Sequence, residues 1–220
     1  MSNSGKLRDS LTASVLLMSL VVVVACLSAK STPKPKSSDA TQVGMNQDSN
    51  KTIRDQNGVI YTTHSGEYTN EEYGYALDIP PGLLGLSSPP PMPQHGFFMN
   101  LAKDSEAQIQ VDAHYNSLFW STLDEAVEAS LESIAEQGTA TAPSVKTATT
   151  LGEIPAVRFV TEYESKVSGK PCVNDEVIAF RREGQTDIVY QIRLQTDRPR
   201  YTADKKTFED VVKSWKSLPF

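Results

Sequence analysis

Apolar and polar residues alternate with period two along several stretches of the chain. Ile109, Val111 and Ala113 alternate with Gln108, Gln110 and Asp112, and Ile188, Tyr190, Ile192 and Leu194 are set against Gln191, Arg193 and Gln195. Val157, Phe159, Thr161 and Tyr163 form a third stripe. This period predicts strands that each bury one face. Asp175 to Arg182 and Asp187 to Gln195 flank Glu183-Gly184-Gln185-Thr186, and Phe97 to Ala102 and Ala107 to Tyr115 flank Lys103-Asp104-Ser105-Glu106. Both arrangements read as hairpins, so the sheet is expected to be largely antiparallel.

Two stretches carry the helical period instead. Thr122-x-x-Glu125 can close a capping box ahead of Leu123, Ala126, Val127, Leu131 and Ile134, with Gly138 placed to end the helix. Near the C-terminus Phe208, Val211, Val212, Trp215 and Leu218 follow the same spacing, in a helix begun by Thr202 or Ala203. Each helix is apolar on one side and needs a sheet face to cover it. The expected architecture is therefore α+β, a largely antiparallel sheet covered by helices, in one globular domain over 58–220.

The first residues have a different pattern. Lys6 and Arg8 precede an apolar run from Leu11 through Val21-Val22-Val23-Val24 to Ala25, interrupted by Thr12, Ser14 and Ser19. The run is shorter than the roughly 20 apolar residues a spanning helix needs, and its basic-then-apolar order is that of a secretory signal over 1–25. Residues 26–57 are rich in Ser, Thr, Pro and Lys and poor in large apolar side chains, so they cannot bury enough surface to offset the entropy of ordering. They read as a tether.

Composition narrows the function classes. The 220 residues hold 21 Lys+Arg and 27 Asp+Glu, a formal charge of −6, with no long basic block, which argues against nucleic-acid binding. Removing the signal with Lys6, Arg8 and Asp9 leaves the remainder slightly more acidic. Lys30, Lys34 and Lys36 stand close to the signal's end and read as solvated tether residues, with contact to anionic head groups as the alternative. The 2 Cys cannot form a disulfide-dense scaffold.

Val23-Val24-Ala25-Cys26 resembles the bacterial lipobox: an aliphatic residue, a tolerated middle residue, Ala, then the acceptor Cys. That resemblance implies that Cys26 receives diacylglycerol, that the signal is cut before it and that the new amine is acylated, for instance by palmitate. Several chains are needed, because one acyl chain gives only marginal membrane binding. Within the domain, Tyr68 to Pro80, read as one extended segment ending in Pro, Gly152-Glu153-Ile154-Pro155-Ala156-Val157-Arg158-Phe159 and Phe208 to Trp215 resemble the opening, the turn into a central strand and the closing helix of PsbP-like domains. This resemblance implies an α/β/α sandwich of the kind that mostly binds or supports assemblies. It carries no reaction.

Catalytic motifs are sparse. The sequence has no Gly-x-Ser-x-Gly elbow, Gly-rich phosphate loop, His-Glu-x-x-His or Cys-x-x-Cys. His64, His95 and His114 lack metal-ligand spacing, and Cys172 follows Gly169-Lys170-Pro171 in an expected turn, read as structural. Asp124, Glu125, Glu128, Glu132 and Glu136 read as the solvated side of the first helix. Arg181, Arg182, Arg198, Arg200, Lys205 and Lys206 read as mixed surface, with a basic patch for an acidic partner as the alternative. The Pro-rich segment Ser87 to Gly96 is read as a rigid connector, with partner docking as the alternative. No catalytic, cofactor-binding or metal-binding residue is assigned.

The expectation is a lipid-anchored protein of a bacterial cell envelope, held to the membrane through Cys26 with its domain outside the cytoplasm. That domain would be a non-catalytic binding or accessory module for an envelope protein partner. The alternatives are a small-ligand carrier, which needs a large apolar pocket between sheet and helices, and an envelope hydrolase, which needs a His cluster with carboxylates.

Overall fold

The computed structural model describes residues 51–89, 95–102, 107–142, 144–183 and 186–219. The signal, Cys26 and most of the tether lie outside them, as do residues 90–94 of the Pro-rich segment and the expected turns at 103–106 and 184–185. All the described residues belong to one unit, Gln47–Phe220.

In chain order the elements are β1 (Thr52–Arg54), β2 (Ile60–His64), β3 (Gly66–Asn70), β4 (Tyr75–Ile79), β5 (Gly85–Ser87), β6 (Gly96–Asn100), β7 (Gln108–Tyr115) and α1 (Leu123–Gln137). They continue with β8 (Gly138–Ala140), β9 (Val145–Leu151), β10 (Ile154–Ser165), β11 (Pro171–Glu183), β12 (Thr186–Asp197), a 3-10 turn at Arg198–Arg200, α2 (Tyr201–Lys213) and β13 (Lys216–Ser217). The fold is α+β. Ten strands form the main sheet in the order β1-β2-β5-β6-β7-β12-β11-β10-β8, with β9 also paired to β10, and β13-β4-β3 form a small second sheet. Every strand pair among the described residues is antiparallel.

The two helices cover opposite faces of the main sheet. On one face Ile109, Val111, Val177, Ala179, Tyr190, Ile192 and Leu194 pack with Phe208 and Val211 of α2 and with Tyr75 and Leu77 of β4. On the other, Phe159, Tyr163, Cys172, Ile178 and Val189 pack with Ala126, Val127 and Ile134 of α1. Strands β10, β11 and β12 therefore bury side chains on both faces, beyond the one-faced pattern expected from their alternation. Cys172 is buried as the second residue of β11 rather than set in a turn.

Helix α1 begins as its sequence predicts. The Thr122 Oγ1 accepts the Glu125 N–H at 3.2 Å, while the Glu125 carboxylate turns back to the Ser121 N–H at 2.7 Å. Gly138 ends the helix for a reason of space rather than of φ. Its backbone is extended, but a Cβ there would lie 2.2 Å from the Tyr163 ring and 2.5 Å from the Glu164 carbonyl.

Three further expectations change in the structure. Strand β1 lies inside the segment assigned by composition to the tether: its residues are exposed, and it is held by pairing Thr52 with Thr62 and Arg54 with Ile60. Tyr68 to Pro80 is a hairpin of β3 and β4 rather than one extended run, because Gly74 takes φ +62 and turns the chain. Helix α2 stops at Lys213, so Trp215 and Leu218 sit in the extended tail that pairs β13 with β4. Trp215 is still 4% exposed, stacked on Tyr75 at 4.5 Å and edge-on to Tyr190 at 5.1 Å.

Candidate functional site

The buried charges are the first place to look for chemistry, and they hold the fold together. Asp175 and Glu176 are adjacent on β11 and fully buried, so their side chains point to opposite faces. On the α2 face Asp175 takes a bidentate pair from Arg158, Nε to Oδ1 at 2.8 Å and Nη2 to Oδ2 at 2.7 Å, and accepts the Tyr201 hydroxyl at 2.7 Å. On the α1 face Glu176 lies directly opposite Arg193 in register and accepts its Nε at 2.8 Å, with Ser130 Oγ donating at 2.9 Å.

Their effects on neighbouring groups agree with a structural role. The hydrogen bonds that Arg158 donates to Asp175 raise its pKa further, and the charge of Glu176 does the same for Arg193. Burial, then the bond to Asp175, pushes the Tyr201 hydroxyl up. Both carboxylates are locked to guanidinium groups that are themselves tied into the fold. Through Tyr201 and Ser130 they brace the two helices against the sheet.

The sequence-based candidates are not brought together. His64 bonds Ser87 Oγ at 2.8 Å, and burial lowers its pKa. His95 meets the Tyr73 hydroxyl at 3.0 Å and the Ala113 carbonyl at 3.1 Å, on the α2 face, while His114 lies across the sheet against the Tyr115 carbonyl and Trp120. Among the described residues no group of three or more His, Cys, Asp or Glu side chains converges as a metal would require. The suspected basic patch is matched by carboxylates: Arg182 with Asp187, Arg198 with Glu162, Arg200 with Asp204 and Lys205 with Glu209. Arg181 donates to the carbonyls of Gly74 and Leu218 and fastens the C-terminal tail.

A surface feature of another kind lies in the loop between β7 and α1. Tyr115 to Ser117 and Phe119 to Ser121, with Arg182, Thr186 and Asp187 from β11 and β12, line an open groove of about 340 Å³. Phe119 is 85% exposed and holds φ +56, the single non-glycine residue with positive φ among the described residues. Leu118 and Tyr115 beside it are 44% and 47% exposed.

The loop is held in that shape. Asn116 Nδ2 donates to the Trp120 carbonyl at 2.7 Å and Asn116 Oδ1 accepts the Trp120 N–H at 3.0 Å, while the Asn116 N–H donates to the Asp187 carbonyl at 2.9 Å. The Asn116 side chain thus clamps the turn that forces Phe119 into the left-handed region. An L-residue there costs about 1–2 kcal/mol, and an exposed Phe forgoes about 1.5–3 kcal/mol of burial. Neither cost contributes to folding, and both present an aromatic ring to solvent.

No protein-family model matches the chain. No curated protein matches it either. Solved structures do. LpqN of Mycobacterium tuberculosis, described as involved in cell envelope biogenesis, is 9% identical with a TM-score of 0.42, the match covering 77% of this chain and 90% of that one. The cyanobacterial PsbP of Synechocystis is 16% identical with a TM-score of 0.46, covering 71% and 92%. The Ran-binding protein Mog1p of Saccharomyces cerevisiae is 16% identical with a TM-score of 0.45, covering 71% and 96%. Likenesses this distant give no ground for transferring an activity or a partner.

The groove was not legible in the sequence because Leu118 to Trp120 reads only as apolar residues lying between a strand and a helix cap. The available signal was a dense apolar run, Leu118-Phe119-Trp120, directly ahead of the Thr122 cap, where hydrophobic side chains are not needed for either element. Only the fold tells which of these rings turn inward. Trp120 packs against the α1-side core, and Phe119 does not.

Proposed function

We propose that this protein is a bacterial envelope lipoprotein, anchored through lipid on Cys26, whose domain is a non-catalytic binding module acting through the groove between β7 and α1. The observation that carries the binding reading is Phe119, an aromatic side chain fixed by Asn116 in a strained conformation and left 85% exposed. The anchor reading is supported by Val23-Val24-Ala25-Cys26 at the end of an apolar run too short for a stable span. Among the described residues no helix is long and apolar enough to cross a membrane.

Both halves are testable. With Cys26→Ser, the protein should leave the membrane fraction on salt extraction, and retention equal to wild type rejects the anchor. Phe119→Gly should raise stability by up to about 1 kcal/mol by relieving the positive φ, while capture of partners from solubilised envelopes falls. Unchanged capture by Phe119→Gly rejects the groove as the contact surface.

A further inference from the structure

The groove carries information about its occupant. Tyr115, Phe119 and Trp120 supply its aromatic surface, and Arg182, the one cation among the described lining residues, is ion-paired to Asp187 at 3.3 Å. Exposed carboxylates neighbour it in two places. Glu71 and Glu72 are exposed in the turn before Tyr73, whose ring contacts that of Tyr115 at 5.2 Å. The Tyr73 hydroxyl is pushed up to about 12 by burial and then by the charge of Glu72. On the other side Asp124 and Glu125 stand exposed in the first turn of α1, where the Glu125 carboxylate accepts the N–H of Ser121, a groove residue.

The geometry points to an extended, basic segment of a partner protein as the occupant, with Pro or other apolar side chains set on Tyr115, Phe119 and Trp120 and Lys or Arg facing Glu72, Asp124 and Glu125. This rests on the groove being the contact surface. The groove is walled by the loop before α1 and by Arg182, Thr186 and Asp187 of the paired strands β11 and β12, so a segment would bind through side chains rather than by adding a strand. Proline suits such a wall because an extended Pro-containing segment is already ordered and needs no backbone donors. The neighbouring carboxylates argue against an anionic lipid surface, whose head groups they repel.

The test uses the full mature chain carrying Cys26→Ser, so that lipid does not tether it to vesicles. Binding is read by the fluorescence of Trp120, which lines the groove, and by calorimetry. The probes are an alternating Pro-Lys decapeptide, its Pro-Glu counterpart, and vesicles of anionic phospholipid. Saturable binding of the Pro-Lys peptide is expected, weakened at high salt, reduced severalfold by Glu72→Gln and about tenfold or more by Phe119→Ser, with unchanged thermal melts for both variants. Equal binding of the Pro-Glu peptide, or none of the Pro-Lys peptide, overturns the proposal. Vesicle binding that depends on Phe119, without peptide binding, overturns the peptide occupant and leaves the groove as contact surface. Peptide binding indifferent to Phe119→Ser overturns both.

Discussion

Replacing Trp215 by Ala tests the packing of the C-terminal tail most directly. The indole lies between Tyr75, stacked at 4.5 Å with an interplanar angle of 6°, and Tyr190, edge-on at 5.1 Å, and is 4% exposed. A Trp buries about 150–250 Å², worth about 4–6 kcal/mol at ~25 cal/mol per Å² as an upper bound. Large-to-small changes of this kind cost about 3–5 kcal/mol, a large part of the ~5–15 kcal/mol that holds a domain. Trp215→Phe differs from Trp215→Ala in keeping a ring in the stack, while both remove the indole N–H. The buried indole Nε1 has no hydrogen-bond acceptor among the described residues, and a donor left so costs about 1–3 kcal/mol. Phe keeps the stack and removes that donor, so its cost should be less than half that of Ala. Urea unfolding followed by far-UV circular dichroism, with unchanged m-values, measures both. A Trp215→Ala midpoint within about 0.5 kcal/mol of wild type, the range of ordinary surface changes, would refute the core assignment.

Gly138→Ala should cost about 1–3 kcal/mol in the same assay, because the new methyl meets the Tyr163 ring and the fixed Glu164 carbonyl; a neutral outcome would mean that β8 can shift away from β10. A chain beginning at Gln47 should melt like the full mature protein, and one beginning at Asn57 should lose little, since β1 is exposed and adds backbone pairing at one edge; a large drop on the second truncation would show that β1 holds more than that edge. Burial depresses the pKa of His64 below its ordinary 6.5, so the unfolded chain takes up the proton first. The stability this leaves in place above about pH 6.5 is lost as pH falls toward the folded-state value, and His64→Gln should flatten that part of the stability profile between pH 7 and 5.

How much of this was legible in the sequence depended on the range of the interaction. The Thr122 cap of α1 and the alternation of β7 and β12 are set by residues a few positions apart, and the structure places them where the pattern does. The antiparallel α+β architecture follows, because each one-sided element must find a covering face. Burial on the second face of β10 to β12 was not legible, since it depends on α1 and α2 choosing opposite sides of one sheet.

Only the tertiary structure decided the rest. Trp215 reads as a helical residue by spacing, yet the helix ends at Lys213 and the tail turns to pair with β4 across the chain. Arg158 with Asp175 and Arg193 with Glu176 are strand neighbours only after the hairpins form, so no local pattern marks these carboxylates as buried braces. The exposure of Phe119 likewise follows from the Asn116 clamp and from the β11–β12 hairpin that closes the groove beside it. Local periodicity fixes which residues prefer an interior, but a binding surface is defined by apolar residues that the finished fold leaves outside, and that is a property of long-range packing.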